Sequence, residues 1–344
     1  MKILENIALA PLTTLGIGGP ARWFVEATSE AEIAEACLWA RERGVPLFVL
    51  GGGSNVLVAD AGFDGLTLHV ALTGMELEGE VLRAAAGTRW DDCVEQALRG
   101  DCAGVECLAG IPGTVGGTPV QNVGAYGQEV ASVIERVRAF DRAAQEFVEF
   151  ANAECGFAYR KSRFNTTDRG RFVVTRVDYR LRQNGAPTLT YAELKAHLSG
   201  REKTPSLVEV AEAVRGIRKN KGMLLVEGDP DCRSAGSFFK NPSVVPEVAE
   251  RVRQIAATAG VAVRVFPAEG GMVKIPAAWL IEQAGFKKGY AMGAAGISSW
   301  HTLALVNRGG ARAEDILALA EKIANAVEAK FGVRLEMEPE RVGF

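Results

Sequence analysis

Histidine is scarce. Only His69, His197 and His301 occur in 344 residues. No two of them stand at a ligand spacing, so a zinc centre is not expected. The six cysteines, at positions 37, 93, 102, 107, 155 and 232, include no C-x-x-C pair. They read as reduced, structural thiols of a cytoplasmic protein, with no metal bound. An excess of charge of one sign is also missing. Lys and Arg number 39 against 42 Asp and Glu, a net −3, which leaves no electrostatic footprint for nucleic acid. No run approaches the ~20 apolar residues of a membrane span. The first twenty residues lack the basic start and apolar core of a signal peptide. Three nucleotide and hydrolase signatures are absent as well: G-x-G-x-x-G, the Walker Gly-Lys-Ser/Thr and G-x-S-x-G.

Glycine and apolar residues, by contrast, are plentiful. Hydrophobic residues make up 48 % of the chain, enough for the two or three domains that its length predicts. Glycine is concentrated in Gly110–Gly127, which also holds Pro112, Pro119, Gln121 and Asn122. The glycines let backbone come close to a flat or charged group, and the prolines give the loop a shape. Such a long, backbone-lined surface suits a bulky cofactor better than an ion; an ordinary turn-rich connection is the plainer alternative. A second glycine cluster, Gly51-Gly52-Gly53-Ser54-Asn55, lies between the strand-like Pro46–Leu50 and Val56–Val58. Its successive N–H groups can form a nest for a phosphate or diphosphate, or merely a tight turn.

The remaining chain reads as mixed α and β. Strands are predicted at Arg22–Val25, Leu66–Val70, Val81–Ala86, Val130–Phe140, Phe172–Leu181, His301–Asn307 and Val333–Glu338. Helices are predicted from Ser29, an N-cap with Glu32 at the capping-box position, to Gly44, and over Arg89–Leu98, Pro205–Lys219, Pro246–Ala259, Ala277–Ala284 and Ala313–Phe331. Turn composition around 183–190 marks the end of the first unit.

Four further segments are candidates for chemistry. Tyr159–Phe164 carries Arg160, and an arginine fork suits a carboxylate or developing oxyanion; a solvated basic edge is the alternative. Ser234–Pro242 carries Ser237 with no evident base, so proton donation suits it better than acyl chemistry; a serine buried in a strand turn is the alternative. Arg218–Gly222, with Lys219 and Lys221, is either a dipole-matched helix end or an anion site. Glu336 and Glu338, two apart on a strand, share a face, either as two exposed edge charges or with one pointing into a site.

In this order the segments resemble the flavin-dependent UDP-N-acetylenolpyruvoylglucosamine reductase family. The resemblance covers nearly the whole chain. It rests on Thr14–Gly19, Gly51–Leu57, Gly110–Gly127, Tyr159–Phe164, Gly236–Pro242 and Leu335–Glu338. It implies an α+β fold. Residues 1–188 form a FAD-binding unit of the vanillyl-alcohol-oxidase (PCMH) type, in two lobes split near residue 66. Residues 189–344 form a substrate domain whose last strand returns to the flavin site. It also implies a reaction: NADPH reduces non-covalently bound FAD, and a UDP-sugar enolpyruvyl ether receives a hydride at its β-carbon and a proton at its α-carbon.

The family pattern carries over residue by residue. Arg160 stabilises the developing negative charge with Glu338 as partner, and Ser237 donates the proton, with Arg160 or Lys240 as the cation that aids it. Gly51, Gly52, Gly53, Ser54 and Asn55 match the diphosphate side of FAD. Ile111, Gly113, Gly116, Gly117, Gly124, Ala125 and Arg218 match other flavin contacts. Tyr126, Tyr191, Lys221, Asn241 and Gln283 match positions facing the substrate, with Tyr191 on a loop that closes over it. The terminus departs from the usual Leu-Glu-Pro-Glu-Val-Arg; counting from Leu335 selects Glu338, with Glu340 as a competing carboxylate, and displaces the arginine by one position to Arg341. The resemblance leads us to expect a cytoplasmic monomer. A flavin oxidase of the same fold and a UDP-sugar-binding module without redox chemistry are the rival readings.

Overall fold

The computed structural model describes residues 1–200, 203–226 and 228–344. They divide into two compact units that interleave in sequence. The first comprises Met1–Ala8, Pro20–Gly53 and Phe63–Asn220; the second comprises Leu9–Gly19, Ser54–Gly62 and Lys221–Phe344. By contacts, therefore, residues 189–220 group with the first unit. Two short N-terminal segments group with the second.

The first unit has two large sheets over one core. Four strands run in the order Leu4–Ala8, Pro20–Ala27, Phe63–Val70, Leu47–Leu50. The latter three are mutually parallel neighbours, as expected where a helix supplies the crossover. That helix, α1 (Glu30–Glu42), begins at Ser29, whose Oγ accepts from the Glu32 amide at 3.3 Å. The Glu32 carboxylate reaches back to the Thr28 amide and hydroxyl, at 2.8 and 3.0 Å, completing the cap. Its apolar stripe of Ile33, Ala36, Cys37 and Ala40 is buried. The second sheet is antiparallel, in the order Glu146–Ala151, Ile134–Asp141, Phe172–Arg180, Val81–Ala85, Met75–Glu78. Helices α2 (Trp90–Arg99), α3 (Ala192–His197) and α4 (Leu207–Asn220) complete the unit.

The second unit is built on α5 (Pro246–Thr258), α6 (Ala277–Gln283) and α7 (Ala313–Phe331) with short strands. Phe238, Phe239, Ile281, Ile316, Ile323 and Phe331 are in its core. The N-terminal insertions are held by specific bonds. Asp60 caps α7, accepting from the Ala313 and Glu314 amides at 2.8 and 3.2 Å. Asn307, nearly fully buried, donates to Leu15 O and accepts from the Gly309 and Ala311 amides. At Gly19, any Cβ would lie 2.3 Å from Asp60 O, so the two inserted segments can meet only through glycine.

Three expected strands come out differently. Val130–Ser132 is a 3₁₀ turn, and the strand begins at Ile134. Of His301–Asn307 only Leu305–Asn307 is paired; His301 Nδ1 accepts from the Leu303 amide and turns the chain. Val333–Glu338 is extended with buried Val333 and Leu335, but only Met337 pairs, with Phe239. The terminal strand is Glu340–Val342, parallel to Val56–Val58. In all three the β-like composition is real, but a pairing partner meets only part of the segment.

All six cysteines are free and buried. Burial pushes the thiols of Cys37 and Cys155 up to about 11, and those of Cys93 and Cys107 up to about 12. Thiolate is the reactive form. These four are therefore expected to stay unmodified when native protein meets an alkylating reagent at mildly basic pH, and to react once the chain is unfolded, as counted by mass spectrometry. Rapid native labelling of Cys93 would contradict this.

Candidate active site

In the first unit the two glycine-rich loops touch backbone to backbone. A Cβ on Gly52 would lie 2.7 Å from Gly113 Cα, and one on Gly51 would lie 2.9 Å from Thr114 Oγ1. The second loop is itself fixed on the segment leading into α2. The Gly116 amide donates to Ala86 O at 2.8 Å, Val115 to Thr88 O at 2.9 Å, and the Trp90 amide to Gly113 O at 3.0 Å. A Cβ on Gly116 would meet the Ala86 side chain at 2.8 Å, whereas Gly117 faces open space. Gly53 is buried with φ +61. The amides of Gly52 and Gly53 find no acceptor among the described residues. Unused donors in a glycine turn make the concavity that binds a diphosphate.

These observations fit FAD. Gly52 and Gly53 would supply amide donors, and Gly117 an open surface without a side chain. Gly110 is gripped from both sides. Its amide donates to Asp91 Oδ1 at 2.7 Å, and its carbonyl accepts from Arg218 Nε at 3.1 Å. Arg218 is 8 % exposed, and burial pulls its guanidinium below its ordinary value, opposed by the charges and hydrogen bonding of Tyr126 and Asp91. Burial also pushes the Tyr126 phenol up to about 12, with Arg218 opposing. Tyr126 therefore stays protonated at neutral pH.

Tyr126 begins a crowded corner. Its ring meets that of Tyr191, the N-cap of α3, edge to face, with centroids 5.4 Å apart. At Gly127 a Cβ would strike Thr190 Oγ1 at 2.1 Å. Beneath lies Glu106, fully buried, which sequence reasoning missed. Its carboxylate accepts from the Gly104 amide (2.7 Å), Gln128 Nε2 (2.7 Å) and the Thr188 amide (2.8 Å). A lone acid in the apolar run Cys102–Leu108 was the available signal. Arg160 donates from Nη2 to Gly124 O at 2.8 Å. It has φ +56, as Tyr126 has +49 and Asn122 has +44. Each such non-glycine residue costs of order 1 kcal/mol or more, and such strain gathers at functional sites.

In the second unit, Phe238, Phe239 and Lys240 run antiparallel to Glu336, Met337 and Glu338. The Glu338 amide donates to Phe238 O, and the Lys240 amide to Glu336 O, both at 2.9 Å. Ser237 is half-buried at the end of this pairing, after Gly236 with φ +67. Asn55 Nδ2 donates to Glu338 O at 3.4 Å. Ser237, Glu338 and Asn55 are thus neighbours along one backbone seam. Lys240 is directed elsewhere: its Nζ is 2.6 Å from Glu336 Oε1. Glu336 is exposed and Glu338 half-buried.

The other expected residues take mixed positions. Ile111 packs against the first core, and Ala125 pairs with Gln128 in a two-strand turn. Ser54 and Lys221 are half-buried in the second unit. Asn241 Oδ1 accepts from the Ala277 amide at 2.8 Å and caps α6. Gln283 is the last residue of α6. The Arg341 guanidinium lies 4.8 Å over the Phe344 ring.

Comparison with known proteins bears on both units. Residues 21–150 match a model of an FAD binding domain. Residues 229–342 match the model for the C-terminal domain of UDP-N-acetylenolpyruvoylglucosamine reductase. A curated relative of that name from Streptomyces coelicolor is 48 % identical, over 99 % of this chain and 90 % of its own length. One from Thermobifida fusca is 45 % identical over 98 % of each chain. A crystal structure of the reductase from Thermus caldophilus is 28 % identical, covers 99 % of this chain and 98 % of its own, and superposes with a TM-score of 0.67.

Proposed function

The chain belongs to the UDP-N-acetylenolpyruvoylglucosamine reductase family, and from that premise we propose how its residues divide the reaction. It is a flavin-dependent oxidoreductase that reduces the enolpyruvyl group of UDP-N-acetylglucosamine-enolpyruvate for peptidoglycan synthesis. The product is UDP-N-acetylmuramate. When bound, FAD would supply the hydride chemistry, carrying a hydride from NADPH to the enolpyruvyl β-carbon.

The chain's own residues do the rest. Gly51, Gly52, Gly53, Ser54 and Asn55 hold the diphosphate, and Ile111, Gly113, Gly116, Gly117, Gly124, Ala125 and Arg218 hold the remaining cofactor. Hydride addition leaves negative charge at the α-carbon, delocalised into the adjoining carboxylate. Arg160 meets that charge with a planar, permanently ionised fork. Ser237 donates the proton to the α-carbon, and Glu338 supplies the carboxylate of the catalytic set. Tyr126, Tyr191, Lys221, Asn241 and Gln283 hold the sugar nucleotide, with Lys221 as a point charge on its diphosphate. The enzyme works as a cytoplasmic monomer in cell-wall assembly, and thereby in cell shape and division. No described helix is long and apolar enough to cross a membrane.

The observation that supports cofactor binding most directly is the contact of Gly52 with Gly113 beside unused amide donors. Gly52→Ala is expected to lose most bound flavin, with a stability loss of about 1–3 kcal/mol from overpacking. The flavin-to-protein absorbance ratio and the melting temperature check this; full flavin content in the variant would contradict it. The reaction assignment is tested by turnover in deuterium oxide. Solvent deuterium is expected at the α-carbon of the product. No deuterium at the α-carbon, or no muramate product, overturns it.

A further inference from the structure

We propose that Asn165, which lies just outside the Tyr159–Phe164 motif, is a positioning residue that sets the direction of Arg160. This rests on the reading of Arg160 as the group that meets the developing charge. Ala158 and Lys161 exchange both backbone hydrogen bonds, each at 3.0 Å, so Tyr159 and Arg160 form a two-residue turn. Arg160 stands third in that turn with φ +56. Glycine or asparagine is usual where a turn needs φ above zero. An arginine there keeps its geometry only if neighbours hold it.

Asn165 is the neighbour that does so. Its Nδ2 donates to Arg160 O at 3.1 Å, and its Oδ1 accepts from the Ser162 amide at 2.9 Å. The first bond fixes the peptide plane that follows Arg160. Ala158, on the other side of the turn, is fixed by Asn122, whose Nδ2 donates to Ala158 O at 3.1 Å. Ser162 Oγ donates to Val120 O at 2.7 Å and ties the segment to the glycine-rich loop. With both flanks held, the Cα–Cβ bond of Arg160 has one direction. That direction lets Nη2 reach Gly124 O at 2.8 Å. Displacement of a reacting group by about 1 Å can cost on the order of 10²-fold in rate.

The two bonds of Asn165 can be separated. Asn165→Asp keeps an acceptor for the Ser162 amide, and with it the 3₁₀ cap, but turns an acceptor toward Arg160 O. Asn165→Ala removes both. The test measures the two half-reactions without oxygen, flavin reduction by NADPH and reoxidation by the enolpyruvyl substrate, together with flavin content and melting temperature. Asn165→Asp is expected to slow reoxidation about tenfold. Flavin content, melting temperature and the NADPH half-reaction stay near the parent. In an Arg160→Lys background the same change should add less than about twofold, because residues acting through one another are not additive. Full additivity of the two losses, or an equal fall in both half-reactions, overturns the proposal. If Asn165→Ala loses flavin while Asn165→Asp does not, the Asp variant still decides it. An Arg160→Lys enzyme reoxidised at the parent rate would instead remove the reading of Arg160, whatever Asn165 does.

Discussion

Ser237→Ala is expected to lower turnover by about 10²–10⁴, the usual contribution of a placed proton donor. Flavin content and flavin reduction by NADPH should stay unchanged. Ser237 is half-buried after a left-handed glycine, and its backbone neighbour Phe238 accepts from the Glu338 amide at 2.9 Å. A hydroxyl on a fixed backbone seam can be aimed, whereas one on a floppy loop cannot. A serine is a poor acid in water, and it becomes useful only against a strongly basic carbon. The loss should therefore appear in reoxidation by the enolpyruvyl substrate and not in reduction by NADPH. Stopped-flow absorbance separates the two. A variant that loses its flavin would make Ser237 structural, and one that reoxidises at the parent rate would remove it from catalysis.

Arg160→Ala is expected to cost about 10²–10³ in the same half-reaction, as loss of one preorganised charge donor does. The chain places this arginine in a left-handed turn where glycine would be less strained, and it invests four side-chain or turn hydrogen bonds around residues 158–162 in keeping it there. Arg160→Lys should recover part of the rate, because a point charge replaces the fork without its geometry. Equal activity of the alanine variant would mean that the strained turn has another purpose.

What was legible in the sequence follows from range. Helix α7 is legible to its end residues, because its 3.6-residue apolar stripe is a local signal. The Ser29 cap was legible for the same reason. The glycine loops could be picked out as unusual, but their contact through Gly52 and Gly113 could not, since sixty-odd residues separate them. The interleaved units were hidden for a similar reason: Asp60 on α7 and Asn307 on Leu15 are pairings across most of the chain. His301–Ala304 and Val333–Glu338 read as strands because their residues favour extended backbone, and pairing depends on a partner that composition does not name. Glu106 and Asn165 went unnoticed because each acts on backbone groups brought near by folding.

The most direct test of the account is the visible spectrum of the purified protein, followed without oxygen. The account predicts a flavin spectrum that NADPH bleaches and UDP-N-acetylglucosamine-enolpyruvate restores. A bleached flavin that this substrate cannot reoxidise, or no flavin after reconstitution with FAD, would contradict it.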